Sequence, residues 1–142
     1  TYWISAFHAG VTEIQAGGGV FGDVVYRTQY GLNLPWAMTV LSTVTSRPTA
    51  TRIICDAGKK TMSTDSATPE LLEVGPVASA GFSAEHGGIE LEHPAEAPAV
   101  ADLLRFVPGC VDTTVVLHDE IYGVRDGLVE AIWPLLGRGR LQ

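Results

Sequence analysis

The sequence predicts a mostly β protein, an antiparallel β-barrel or sandwich. Two observations carry this. Short runs of β-branched and apolar residues recur along most of the chain, with turn residues between them at regular intervals. Only one stretch, residues 20–30, has the look of a helix. The 142 residues are the length of one ordinary domain, and 46% of them are hydrophobic, enough to bury a core. A formal net charge of -7 without any basic run argues against a nucleic-acid surface. Two cysteines, Cys55 and Cys110, do not make a disulfide framework and fit a reducing, cytoplasmic setting. No apolar run is long enough for a membrane helix. The start, Thr1-Tyr2-Trp3, has no Met and no basic leader, so no signal peptide is expected and the chain reads as cut from a longer one.

In order along the chain, residues 1–10 are aromatic and small, with His8 alone among them. Val11–Ala16 reads as a short buried strand. Gly17-Gly18-Gly19 follows, and then the helical stretch 20–30 with Asp23 in its first turn. Strand, glycine loop and helix N-terminus is an order that can cradle a phosphate on backbone N–H groups; it is also an ordinary flexible turn. Asn33-Leu34-Pro35 breaks the helix. Trp36–Thr45 is apolar at both alternating sets and predicts a strand buried on both faces. Ser46–Thr49 is a turn, and Ala50–Asp56 returns as its antiparallel partner. Lys59 and Lys60 in the glycine turn read as a solvated pair.

Residues 66–76 form a loop, with one helical turn expected from Pro69. Strand character resumes over 77–84, turns at Glu85-His86-Gly87-Gly88, and continues through Ile89–Glu92, whose alternation is that of a half-exposed strand. A Pro/Ala loop follows. Residues 113–118 and 121–124 read as strands, Asp126-Gly127 as a type I′ hairpin turn, and 128–133 as the return strand. His118 and Asp119, neighbours on a strand, would face opposite sides. There is no internal repeat.

The stretch with chemistry is Val107-Pro108-Gly109-Cys110-Val111-Asp112. If a strand begins at the turn, Cys110 and Asp112 project from one face. A thiolate and a carboxylate side by side can hold a divalent transition metal. Two ligands are too few for a closed structural zinc site, so such a site would be open and catalytic. Alternatively, Cys110 is a small buried hydrophobe and Asp112 a turn cap.

Several segments resemble the C-terminal domain of the D-threonine aldolase and D-serine dehydratase family. They are Glu85-His86-Gly87, Arg105-Phe106-Val107-Pro108, Thr114–Asp119, Tyr122–Gly127, Ile132-Trp133-Pro134 and Gly137-Arg138-Gly139. Thr12-Glu13-Ile14-Gln15-Ala16-Gly17 and Asp56-Ala57-Gly58 match as well. The resemblance implies an alanine-racemase-type, pyridoxal-phosphate (PLP) and metal-dependent enzyme. Residues 1–32 would then be the last βα unit of a TIM-like barrel, and residues 33–142 the β-domain with the metal segment. In that family a Pro-x-His-x-Cys or Pro-x-His-x-Asp segment supplies the two metal ligands; here Cys110 and Asp112 stand at those positions, for Zn or Mn.

By the same resemblance, Gln15, Gly17, Gly18 and Gly19 lie near the cofactor phosphate. The family usually has Ser or Thr and then Tyr where this chain has Gly18 and Gly19. His86 would lie near the active site, facing metal-bound water or the substrate carboxylate. The cofactor lysine lies far upstream in the family and is absent from this chain. The implied activity is a lyase on D-3-hydroxy amino acids, giving glycine and an aldehyde by retro-aldol cleavage or a keto acid by dehydration. A homodimer and an upstream barrel segment or chain are the implied partners. Two other readings stay open: a metal-free racemase-like PLP enzyme, and a non-catalytic β-domain that assembles with an upstream barrel chain.

Overall fold

The computed structural model describes residues 2–140. Thr1, Leu141 and Gln142, at the outer ends of the two expected segments, lie outside the described residues. The chain is mostly β, with one six-stranded antiparallel sheet curled into a half-barrel and a separate two-stranded hairpin. The strands of the sheet are β1 (Val40–Ser46), β2 (Arg52–Cys55), β3 (Glu70–Leu71), β4 (Val77–Phe82), β5 (Gly87–Leu91) and β6 (Leu103–Val107). Their spatial order is β3-β6-β1-β2-β5-β4. The hairpin is β7 (Glu120–Arg125) with β8 (Leu128–Pro134).

The curl follows from the core. In a flat sheet β4 and β6, four strand spacings apart, would be separated by about 19 Å. Yet the rings of Phe82 and Phe106 meet edge to face with centroids 6.0 Å apart. The sheet bends around one apolar cluster built from Val40, Val44, Ile53, Ile89, Leu104 and Phe106. These are the inward residues of their strands, held in step by the pairs Val40↔Phe106, Ile53↔Ile89 and Ser42↔Leu104.

The expected antiparallel pair is present: Val44 lies opposite Cys55, with a bulge before Ser46↔Ile54. The turn between them is gathered by Arg47, whose guanidinium donates to the carbonyls of Ala50 (2.8 Å), Ala95 (2.7 Å) and Pro98. The strand begins at Val40, however, and only one of its faces is buried; Leu41 is 58% exposed. The outer face of a half-barrel has no second layer to cover it. The Asp-Gly hairpin is also present, with φ of 50° at Asp126 and 79° at Gly127, the left-handed pair that a type I′ turn requires.

Four local expectations are corrected. Residues 11–16 form no strand; a buried barrel strand needs neighbours to bond its backbone. The helix over 20–30 is two short pieces, a 3-10 turn at Gly17–Val20 and α2 at Val24–Thr28, separated by Gly22 at φ 67°. The helical turn expected from Pro69 is β3, because Glu70 and Leu71 close the open edge of β6 at Val107 and Phe106. The strand over 113–118 is replaced by helix α3 (Val111–Val115) and the turn that ends it.

This last change matters most. The run Thr-Thr-Val-Val favours a strand by propensity. Here Val111 and Thr114, one helical turn apart, are buried while Asp112 and Thr113 face solvent. Thr114 Oγ1 donates to the carbonyl of Cys110 at 2.7 Å and accepts the Ser63 N–H at 3.0 Å. Packing on one side and these bonds outweigh a propensity worth a few tenths of a kcal/mol per residue. A short helix, α1 (Tyr2–Ser5), begins the chain. Among the described residues no helix is long and apolar enough to cross a membrane.

Candidate metal and cofactor site

Cys110 is the residue immediately before α3, with extended backbone (φ -141°, ψ 125°), and Asp112 lies in the first turn of the helix. They therefore do not share a strand face. Both lie at the start of a helix, the thiol half-buried and the carboxylate exposed. Asp112 in the first turn is favoured by the helix dipole.

The other wall is α2. Its N-cap is Asp23, which is 2% exposed. One carboxylate oxygen accepts the Tyr26 N–H at 2.8 Å and the other accepts the Val111 N–H at 2.9 Å. The backbone adds two bonds between the same segments, Val24 N–H to the Pro108 carbonyl (3.3 Å) and Val25 N–H to the Gly109 carbonyl (3.1 Å). The two helix starts are thus tied to each other by three hydrogen bonds. Tyr26 shares this corner. Burial pushes its phenol above the ordinary range, and the negative charges of Asp112 and Asp23, with a smaller contribution from Cys110, push it further.

Tyr26 also reaches the glycine turn. A Cβ on Gly18 would lie 2.6 Å from the Tyr26 hydroxyl oxygen and 2.7 Å from its ring. The glycine here is the space the phenol occupies. Gly17 and Gly18 open the 3-10 turn, where first amides have no partner within the helix. The Gly19 N–H is already bonded to the Ala16 carbonyl at 3.0 Å. Gln15 is exposed and donates to Glu13 at 3.1 Å.

His86 sits on the exposed β4–β5 turn, where its backbone is bonded to Ser83. Its neighbour Glu85 pairs with Lys60 at 2.6 Å in solvent, which lowers the Glu85 pKa and leaves Lys60 the surface lysine that its turn predicts. His118 and Asp119 go separate ways: the His118 Nε2 meets the Thr61 carbonyl at 2.7 Å, and Asp119 pairs with Arg138.

Among the described residues no group of three or more His, Cys, Asp or Glu side chains is gathered to hold a metal. The donor set therefore does not fit a closed structural zinc site. One soft and one hard donor, Cys110 and Asp112, would suit a divalent ion with open positions. Asp23 is the residue that the sequence reading undervalued. An Asp directly before Val-Val-Tyr-Arg is a helix N-cap signal, but its second bond, across 88 positions, leaves no trace in the order of residues.

The fold defines a class: the mostly β domain of an alanine-racemase-like fold. The chain belongs to the family described as "Putative serine dehydratase domain", which matches residues 37–124. It is 38% identical over 136 residues to the D-threonine aldolase of Arthrobacter sp, covering 90% of this chain and 35% of that protein. The crystal structure of D-threonine aldolase from Filomicrobium marinum superposes with a TM-score of 0.76 at 34% identity, over 84% of this chain and 33% of that one. D-threo-3-hydroxyaspartate dehydratase from Delftia sp. HT23 superposes with a TM-score of 0.75 at 26% identity, over 92% and 40%. The chain spans about a third of the length of the curated relative it matches.

Proposed function

We propose that this chain is the C-terminal part of a PLP- and divalent-metal-dependent lyase acting on D-3-hydroxy amino acids. Residues 1–32 would close the cofactor-binding barrel and residues 33–142 would form the β-domain. The observation that carries this reading is the pairing of family membership with the packing of α2 on the start of α3, the segment that carries Cys110 and Asp112. When bound, the metal would supply a Lewis acid to the substrate's β-hydroxyl and PLP a sink for the electrons of the breaking bond.

The chain's own groups have these roles. Cys110 and Asp112 would hold the metal, both as anions, so binding would release the thiol proton. Tyr26, kept un-ionised by its surroundings, is a hydrogen-bond donor beside them. The first amides of the glycine turn, with Gln15, Gly17, Gly18 and Gly19, would hold the cofactor phosphate. His86 would bind metal-bound water or the substrate carboxylate. Zn and Mn both suit the donors, Zn better because of the sulfur.

The test is elemental analysis of the full-length protein with its visible PLP absorbance, followed by product analysis with a D-3-hydroxy amino acid. Near-stoichiometric divalent metal, a PLP band, and either glycine plus aldehyde or keto acid plus ammonia are expected. PLP without metal would overturn the metal role of Cys110 and Asp112 and put the racemase-like chemistry ahead. Absence of both groups would leave a β-domain without the family activity.

A further inference from the structure

We propose that Asp23 is the positioning residue of the Cys110–Asp112 pair: one buried carboxylate caps two helices and so sets the metal-binding corner relative to the glycine turn. The inference rests on the metal reading above and adds a residue to it.

The argument begins with α3. A five-residue helix has little stability of its own, because nucleation fixes several residues for a single hydrogen bond. Its first amides have no partner within the helix. Among the described residues, Val111 is the first-turn amide of α3 that receives a side-chain cap, and the cap comes from Asp23 at 2.9 Å. Val111 stands between Cys110 and Asp112. A bond at that N–H therefore fixes the backbone that aims both side chains.

The same carboxylate fixes the opposite wall. Its other oxygen caps α2 at Tyr26, whose phenol rests on Gly18. Asp23 follows the 3-10 turn by only a few residues, so the glycine turn, the phenol, the thiol and the exposed carboxylate share one anchor. Being buried, the carboxylate has no water to replace a lost partner. An amide at this position offers one acceptor oxygen in place of two and turns an NH2 group toward an N–H. Either Val111 or Tyr26 then loses its cap while the volume of the side chain is unchanged.

The experiment compares the complete protein with its Asp23→Asn variant by Co²⁺ titration and by amide hydrogen exchange. Co²⁺ bound to a thiolate gives a near-ultraviolet charge-transfer band that reports Cys110 directly. In the wild type the Val111 and Tyr26 amides should exchange slowly, whereas Asp112 and Thr113 exchange fast. In Asp23→Asn the Co²⁺ affinity should fall by about 10–100-fold, the scale for losing a group that orients a ligand. The band should weaken, while sheet amides such as those of Val44 and Ile53 keep their protection.

Wild-type exchange at Val111 as fast as at Asp112 would show that the cap does not exist and would overturn the proposal without any variant. Unchanged Co²⁺ affinity and band in Asp23→Asn would overturn it as well. So would a loss of affinity matched by loss of sheet protection, which would make Asp23 a general stabiliser. A wild type with a protected Val111 and no thiolate band would instead overturn the metal reading, leaving Asp23 a double cap with no ion to position for.

Discussion

Substituting Gly109 tests the whole corner through a single methyl group. A Cβ on Gly109 would lie 2.0 Å from the Ala67 carbonyl oxygen, 2.9 Å from its carbon and 3.0 Å from the Ser63 carbonyl oxygen. All three are backbone atoms, so no rotamer change relieves the clash. Reaching ordinary contact requires one backbone segment to retreat by about 1.4 Å. Both segments are anchored: Gly109 accepts the Val25 N–H at 3.1 Å, and Ser63 donates to Thr114 Oγ1 at 3.0 Å. Overpacking costs about 1–3 kcal/mol where side chains can adjust. Each buried hydrogen bond broken by the retreat adds about 1 kcal/mol. Gly109→Ala should therefore lose about 3–4 kcal/mol.

The assay is urea unfolding of the purified protein, with Gly75→Ala as the control. Gly75 lies in an exposed loop, and a Cβ there meets nothing within 4 Å. The control should remain within about 0.5 kcal/mol of the wild type. A Gly109→Ala midpoint as close to the wild type as the control's would refute the packing of 109 against residues 63–67. The position of Cys110 derived from that packing would fall with it.

Three other outcomes are expected. Asp112→Ala, at an exposed position, should remove bound metal and activity from the full-length enzyme with little change in its unfolding midpoint; full activity in the presence of EDTA would end the metal reading. Cys110→His should retain metal, because imidazole is a good ligand for the same ions, and elemental analysis with activity assays checks it. Asp56 provides a pH test. Burial pushes its carboxyl up, but bonds from the Thr43 N–H (2.7 Å) and the Ser42 hydroxyl (2.8 Å) outweigh this and hold it below the ordinary carboxylate range. A depressed pKa in the folded state means that the stabilisation is present at neutral pH and is lost as pH falls through that depressed value. The stability gap between wild type and Asp56→Asn should thus shrink as the solution is acidified below about pH 4; a gap that stays constant down to acid unfolding would refute the role.

Local chemistry was legible wherever it depends on neighbours in sequence. The Asp126-Gly127 hairpin, the β1–β2 pair across Ser46–Thr49 and the surface placement of Lys60 follow from turn geometry, alternation and charge. Cys110 and Asp112 could be proposed as donors from the sequence too. Their geometry was not legible. A strand was expected from β-branched residues, but the helix there depends on the distant Asp23 carboxylate, on Ser63 and on the burial of Val111 and Thr114.

The sequence by itself determined a mostly β domain with antiparallel pairs, the family it resembles, and the residue types of the proposed two-donor site. These rest on periodicity, turn residues and short motifs, each readable within a few positions. Only the tertiary structure decided that the sheet curls until Phe82 touches Phe106, that residues 111–115 are helical, and that Asp23 spans two helix starts. Each of these is settled by contacts between residues far apart in the chain, whose free energy outweighs the weak local preferences that sequence order records.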